Sequence, residues 1–550
     1  MLTPIAGGGA LPASAPAATV QISEPVSELL RRSMEKSRAK AWAESADIAE
    51  RAAARADATA LEKAEACCLV ALARAQLGDK DAAKAAITTF DSLSERVPAE
   101  HWSRRYMEGD LRKELGLAPK QPGPPANPVE LLEGADTPTA VWTVRSLNLS
   151  GDHAQAAAAA ELVLKRPDLY PQGRCDVLMH LAFAAQKTGQ ADRAAEAFTA
   201  FAAAADALER SDPLKLEMAE LRKALGLPAL PGLKVEASVH EPPREDSYWK
   251  VAPPAAEDVD GTALEQLRTL CERSGADGVL VARRGNIVME WYSPLYRDPM
   301  MTMSSAKSIT GLLAGILISE GKVGIDDPLS RYVPSWNEGR RAGVTVRHLL
   351  TMTGGLTHVP SVRTRVEGEG WNGFAERQTP VTDPGTAWAY TNEGVQLLSP
   401  VLEKAAGEPL WSFAKRRLFE PIGATSTQMW RDEKGVTNTY ADARTTLREF
   451  ARFGELVRLR GAWPGAGQVV PKEWIATMTT PCERSNDYGM LWWLTHKPRT
   501  WSMRGFLNTD VYVFPDLDLV VARTQARPYL HATEKYSADE MVTLIERACR

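Results

Sequence analysis

Residues 302–321 read Thr302-Met303-Ser304-Ser305-Ala306-Lys307-Ser308-Ile309-Thr310-Gly311-Leu312-Leu313-Ala314-Gly315-Ile316-Leu317-Ile318-Ser319-Glu320-Gly321. Ile309, Leu312, Leu313, Ile316 and Leu317 recur at helical spacing and make a wide apolar stripe, and Gly321 supplies a stop. The pattern predicts a buried helix with Ser304 at its mouth. A spacing of three places Lys307 on the same face, one turn deeper. Ser-x-x-Lys alone says little, since Ser33/Lys36, Ser37/Lys40, Ser247/Lys250 and Ser412/Lys415 share it. What sets Ser304 apart is the apolar helix behind it. A serine hydroxyl is a poor nucleophile until a base takes its proton. A lysine becomes that base only when its charged form is disfavoured, and desolvation against an apolar helix does this. The helix mouth also offers backbone N–H groups to a developing oxyanion.

A second element is Tyr390-Thr391-Asn392, after a Pro384-Gly385 turn, and no other Tyr-x-Asn occurs in the chain. A tyrosine beside two cations can relay a proton between nucleophile and leaving group. Asn392 is suited to hydrogen-bond a substrate amide or ester. Taken alone, the motif reads more readily as a loop tyrosine after a Pro-Gly turn.

Outward from this pair, residues 278–292 form two β-rich runs around Arg284-Gly285-Asn286, a hairpin signal. Further strands are predicted at residues 511–513 and 519–522. A sheet built from both ends of a segment with helices between is an α+β or layered α/β plan.

The first 228 residues differ. From residue 24 to 228 Ala-rich stretches of helical period alternate with Gly turns. The stretch Leu111–Leu117 returns as Leu221–Leu227, and Ala73–Gly78 has a counterpart at 184–189, at offsets of 110 and 111 positions. The pattern predicts a tandem duplication of an all-α unit, split near 119–128, that resembles tetratricopeptide-type helix pairs. Residues 1–23 are expected to be disordered. Pro-rich residues 229–254 are expected to link the helices to a second domain at 255–550. A length of 550 residues fits such a multidomain plan.

From residue 278 to 523 the chain resembles the serine β-lactamase and penicillin-binding-protein superfamily, which includes class C β-lactamases, D,D-peptidases, carboxylesterases and 6-aminohexanoate-oligomer hydrolases. The landmarks run in order: the hairpin, Ser304/Lys307, Gly324–Leu329, Val346–Gly355, Tyr390/Asn392, Arg452–Leu456 and Tyr488–Trp493. Ser304 to Ile309 is most similar to the 6-aminohexanoate hydrolase and esterase branches. The resemblance implies a β-lactamase/transpeptidase-like fold, a central antiparallel sheet flanked by helices. It implies Ser304 as nucleophile with Lys307 and Tyr390 as proton-transfer partners. Asn392, Gly505 and the Phe506 N–H would hold substrate and oxyanion. The chain departs at the third motif, Lys/His-Thr/Ser-Gly, where it has Met503-Arg504-Gly505. In lactamases that motif grips the substrate carboxylate, so the departure argues against recognition of penicillin-like carboxylates.

The expected function is hydrolysis of a small ester or amide through an acyl-enzyme. The alternatives are a β-lactamase or D,D-peptidase, and a catalytically degraded scaffold whose helices bind a protein partner. His348 reads as packing, Asp326 and Asp327 before Pro328 as a helix cap, and Trp492 and Trp493 as core, with one free to line the acyl pocket. The polar stretch 357–383, with His358, Arg363, Arg365, Glu367, Glu369 and Trp371, reads as a loop over the pocket or a solvated one. A net charge of −5 and the absence of aromatic-plus-basic patterning argue against a nucleic-acid partner. No phosphate loop or Asp-rich loop points to a cofactor or metal. No apolar run reaches membrane-spanning length, and no secretory leader is recognised. Six unpatterned cysteines fit a reducing, cytoplasmic setting.

Overall fold

The computed structural model describes residues 26–93, 132–356 and 370–549, apart from 39–40, 57, 133–134, 136, 150, 209–211, 235–239, 241–245, 497, 527–528 and 533. The expected disordered start, the first copy of the Leu111–Leu117 repeat, the 119–128 split and the residues from His358 to Glu369 lie outside them. The chain forms two compact units, residues 1–131 and 132–550. Among the described residues no helix is long and apolar enough to cross a membrane.

Among the described residues of the first unit are four helices: α1 (Val26–Arg38), α2 (Trp42–Ala53), α3 (Ala60–Gln76) and α4 (Lys80–Leu93). Their core is Leu29, Leu30, Ile48, Cys68, Leu69, Ile87 and Phe90. Small residues bring α1 and α2 together, where Ser33 Oγ donates to Ser45 O at 2.8 Å and Ser45 Oγ to Ser33 O at 2.9 Å. Thr59 and Glu62 close a capping box at the start of α3.

The second unit begins with α5 (Thr137–Leu149), α6 (His153–Leu164), α7 (Pro171–Lys187) and α8 (Ala191–Ala205). Val26 and Thr137, Trp42 and His153, Ala60 and Pro171, and Lys80 and Ala191 start corresponding helices, each pair 111 positions apart. The first three pairs also match in length. The offset read from the sequence is thus carried by whole helices. A further helix, α9 (Pro213–Ala224), follows, and its Leu216 packs with Leu295 and Tyr529 of the hydrolase-like region.

That region is built on seven strands: β1 (Lys250–Val251), β2 (Gly278–Arg283), β3 (Asn286–Tyr292), β4 (Trp493–His496), β5 (Arg499–Met503), β6 (Asp510–Phe514) and β7 (Leu519–Thr524). Their order is β1-β3-β2-β7-β6-β5-β4. The hairpin and the two late strands are where the sequence places them. The sheet is mixed rather than wholly antiparallel, because β1 joins the edge parallel to β3. That pairing joins two short runs distant in sequence, which no local turn signal marks.

Strand alternation divides the sheet's two faces. Val279, Val281, Tyr512, Phe514, Leu519 and Val521 pack with Leu264, Leu267, Met541 and Ile545 from helices Gly261–Arg273 and Ala538–Ala548. Leu280, Ala282, Val511, Val513, Val520 and Ala522 face the larger core, which holds helices Ala306–Ser319 and Leu447–Arg458.

The predicted buried helix is Ala306–Ser319, and every residue from Ala306 to Leu317 is buried. Its hydroxyls, which would cost free energy if left unpaired, anchor it to its surroundings. Ser305 Oγ donates to Thr509 O (2.7 Å), Ser308 Oγ to Leu491 O (2.6 Å) and Thr310 Oγ1 to Thr439 O (2.7 Å). Gly315 is required by contact: a Cβ there would lie 1.9 Å from Trp474 Cδ1, and the Trp474 indole N–H donates to Gly311 O at 2.9 Å.

Two local expectations change. Asp326 and Asp327 do not cap a helix. Asp326 pairs with Arg347, while Asp327 accepts the Gly324 N–H, the Tyr332 hydroxyl and Arg331. The described part of the 357–383 stretch includes a short helix, Gly370–Glu376, because Phe374 and Ala375 find the core.

Gly315→Ala should lower stability by about 1–3 kcal/mol, since overpacking against a fixed indole outweighs the ~1 kcal/mol helix-propensity gain of alanine over glycine. A urea melt checks this; an unchanged midpoint would refute the close packing.

Candidate active site

Ser304 lies in a short 3-10 turn, Met303–Ser305, that feeds directly into the buried helix. Met303 holds φ at 50°, a left-handed conformation costly for a non-glycine residue. The surroundings hold it there from both sides: Thr302 N–H donates to Ala443 O at 2.8 Å, and Met303 O accepts the Asp442 N–H at 3.1 Å.

Lys307 is 2% exposed. Its Nζ reaches Ser304 Oγ at 3.0 Å, Asn392 Oδ1 at 2.7 Å and Tyr440 O at 2.8 Å. Burial pushes its pKa down to about 7, against the opposing pull of Glu393 and Asp442. The three contacts define where a proton can go. Tyr440 O can only accept, and the amide oxygen of Asn392 likewise only accepts. A neutral amine therefore spends its two N–H groups on these oxygens and aims its lone pair at Ser304 Oγ.

The Tyr390 phenol lies close enough to Ser304 for the serine to draw its pKa down against burial, and its ring centroid is 4.8 Å from Lys307 Nζ. Burial pushes its phenol up to about 12, so it holds its proton at neutral pH. The loop that carries it is fixed by Gly385 N–H to Thr353 O (2.7 Å) and Ala389 N–H to Met352 O (2.9 Å). Thr391 is the N-cap of helix Asn392–Gln396, so Tyr390 and Asn392 flank a cap and project from a defined corner. Trp493 stacks on Tyr390, with centroids 6.1 Å apart and planes at 23°. Trp492 is fully buried core, so Trp493 is the member of that pair that reaches the site.

Gly505 sits against the turn that carries Ser304. A Cβ there would lie 2.7 Å from Thr302 O and 3.0 Å from Met303 Cβ. Its own N–H donates to Asp510 Oδ1 at 2.9 Å. Phe506 follows in a 3-10 turn, with its side chain 61% exposed. Met503 is buried in the core and brings no cation to the pocket. The Arg504 guanidinium lies over the rings of Trp493 (5.7 Å) and Tyr512 (5.8 Å), and its Nε donates to Ser502 Oγ at 3.0 Å. His348 serves packing, its Nδ1 accepting the Thr345 N–H at 3.2 Å.

The structure thus gathers Ser304, Lys307, Tyr390 and Asn392 at one point and sets Gly505 beside it. Sequence reading missed Tyr440, which acts through its carbonyl, and Asp442. A backbone acceptor leaves no side-chain signature, so no motif could have shown it.

A family model described as Beta-lactamase matches residues 266–542, just over half of the chain. The chain belongs to the beta-lactamase family. A 6-aminohexanoate-dimer hydrolase of Paenarthrobacter ureafaciens is 25% identical over 322 residues, covering 52% of this chain and 81% of that protein. A penicillin-binding protein of Bacillus subtilis strain 168 is 28% identical, over 30% of this chain and 40% of its own length. Esterase EstB of Burkholderia gladioli is 27% identical, over 26% of this chain and 44% of its own.

The rate at which a fluorophosphonate labels Ser304 should rise with pH through an apparent pKa of about 7, because only neutral Lys307 accepts the serine proton. A labelling rate independent of pH between about 6 and 9 would refute a buried, neutral amine.

Proposed function

We propose that this chain is a serine hydrolase that cleaves an ester or amide through an acyl-enzyme. The observation that carries the reading is the buried Lys307 amine, 3.0 Å from Ser304 Oγ with its remaining hydrogen-bonding capacity taken by Asn392 and Tyr440. Ser304 Oγ attacks the substrate carbonyl carbon while its proton passes to Lys307 Nζ. The backbone N–H groups of Ser304 and Phe506 stabilise the oxyanion, a role that is independent of side chain. Tyr390 gives its proton to the leaving alkoxide or amine as the scissile bond breaks and recovers one from Lys307. Water then attacks the acyl carbon and returns the proton to Ser304, releasing the acid.

Small esters and linear amides fit better than penicillins. The place where a lactamase sets a cation against the substrate carboxylate is occupied here by buried Met503. The names of the relatives, an esterase and an oligomer hydrolase among them, agree with such substrates. The helical repeats are assigned to binding a protein partner.

Ser304→Ala should abolish fluorophosphonate labelling and lower turnover of p-nitrophenyl acetate by at least ~10³-fold, and Tyr390→Phe should lower kcat roughly 10²–10⁴-fold. Wild-type protein that is neither labelled nor active would favour a catalytically degraded scaffold. Stable acylation by a fluorescent penicillin without ester turnover would favour a penicillin-recognising enzyme.

A further inference from the structure

The strip Tyr440-Ala441-Asp442 borders the site through two backbone hydrogen bonds. Tyr440 O accepts Lys307 Nζ at 2.8 Å, and the Asp442 N–H donates to Met303 O, one residue before the nucleophile, at 3.1 Å. Asp442 holds φ at 59°, in the left-handed region that glycine, asparagine and aspartate tolerate best. The backbone is therefore pinned, and the half-buried carboxylate is held within electrostatic reach of Lys307.

Among the described residues none donates a hydrogen bond to the Asp442 carboxylate. Its charged neighbours are Lys307, which must be neutral to work, and Arg444, whose side chain is exposed. The other acid near Lys307, Glu393, is buried and already accepts the Thr391 hydroxyl at 2.8 Å. Burial raises the Asp442 pKa, as expected of a carboxylate short of partners. Its field also makes Lys307 a poorer source of neutral amine. A half-buried negative charge that works against the base makes physical sense if something else pairs with it during the reaction. The pocket's other features agree: Met503 brings no cation, and the Arg504 charge is spread over Trp493 and Tyr512. Ring surface, which favours alkylammonium groups, borders the strip where Tyr440 meets Trp371, centroids 5.7 Å apart.

We propose that Asp442 is a specificity-determining residue that receives a positively charged amine of the substrate, so that the preferred ester or amide is cationic close to its scissile bond. The assignment rests on the serine-hydrolase reading and deepens it.

Two matched pairs test it. One is the p-nitrophenyl ester of trimethylammoniobutyrate against its carbon isostere, with tert-butyl in place of trimethylammonium. The other is butyrylthiocholine against the equivalent tert-butyl thioester. In at least one pair the wild-type kcat/KM should favour the cation by about tenfold, the effect of one partly desolvated charge pair. In Asp442→Asn that ratio should fall to near one. Asp442→Gly, which suits the left-handed backbone still better, should give the same loss and so separate charge from backbone. Wild-type ratios near one in both pairs, or ratios unchanged in the variants, overturn the assignment while the hydrolase reading stands if Ser304 is labelled. Failure of labelling together with failure to cleave all four esters overturns both.

Discussion

A buried amine with three fixed hydrogen-bond partners is the constraint around which this site is organised. Water would keep a lysine protonated at neutral pH and useless as a base. Enclosure in the core removes that hydration, and Lys307 falls to about 7. Enclosure alone would leave a costly polar group, so Asn392 Oδ1 and Tyr440 O accept its two N–H groups. The remaining lone pair then has one neighbour, Ser304 Oγ. Burial lowers the pKa of the amine and the two acceptors orient it.

The scaffold keeps this geometry rigid by spending polar contacts inside an apolar core. Ser305, Ser308 and Thr310 tie the helix behind Ser304 to three separate segments, and Gly315 lets Trp474 lie flat against it. The turn before Ser304 is left-handed at Met303, and the chain opposite it is left-handed at Asp442. The two strained residues hydrogen-bond one another through their backbones. Each conformation is thus maintained by a segment more than a hundred residues away, a common way to hold strain at a working site.

Recognition differs from catalysis in how much of the family pattern it keeps. Ser304, Lys307 and Tyr390, the proposed proton-transfer groups, are all present, while the strand beside them offers Met503, a core side chain, in place of a cation. Gly505 remains because backbone crowding by Thr302 O and Thr509 O leaves no room for a side chain. With Met503 on that strand and the half-buried Asp442 carboxylate near Lys307, the proposed preference is for a ligand of positive charge. The mechanism is compatible with either sign, since the oxyanion is met by backbone N–H groups.

Much of the fold was legible in local pattern. The apolar period after Ser304 signalled a buried helix, two β-rich runs around Arg284-Gly285-Asn286 signalled a hairpin, and the 111-residue offset of the N-terminal helices showed in short repeats. Ser304 and Lys307 are one helical turn apart, so their meeting follows from sequence spacing alone. Four facts were decided only by the tertiary structure: the parallel pairing of β1 on β3, the carbonyl of Tyr440 as a ligand to Lys307, the choice of Trp493 over Trp492, and the placement of Asp442. The physical reason is the same in each case. Periodicity reports which way a side chain faces within its own element. Backbone acceptors, edge pairings and left-handed turns depend on what another segment brings against them, and a linear pattern carries no mark of that.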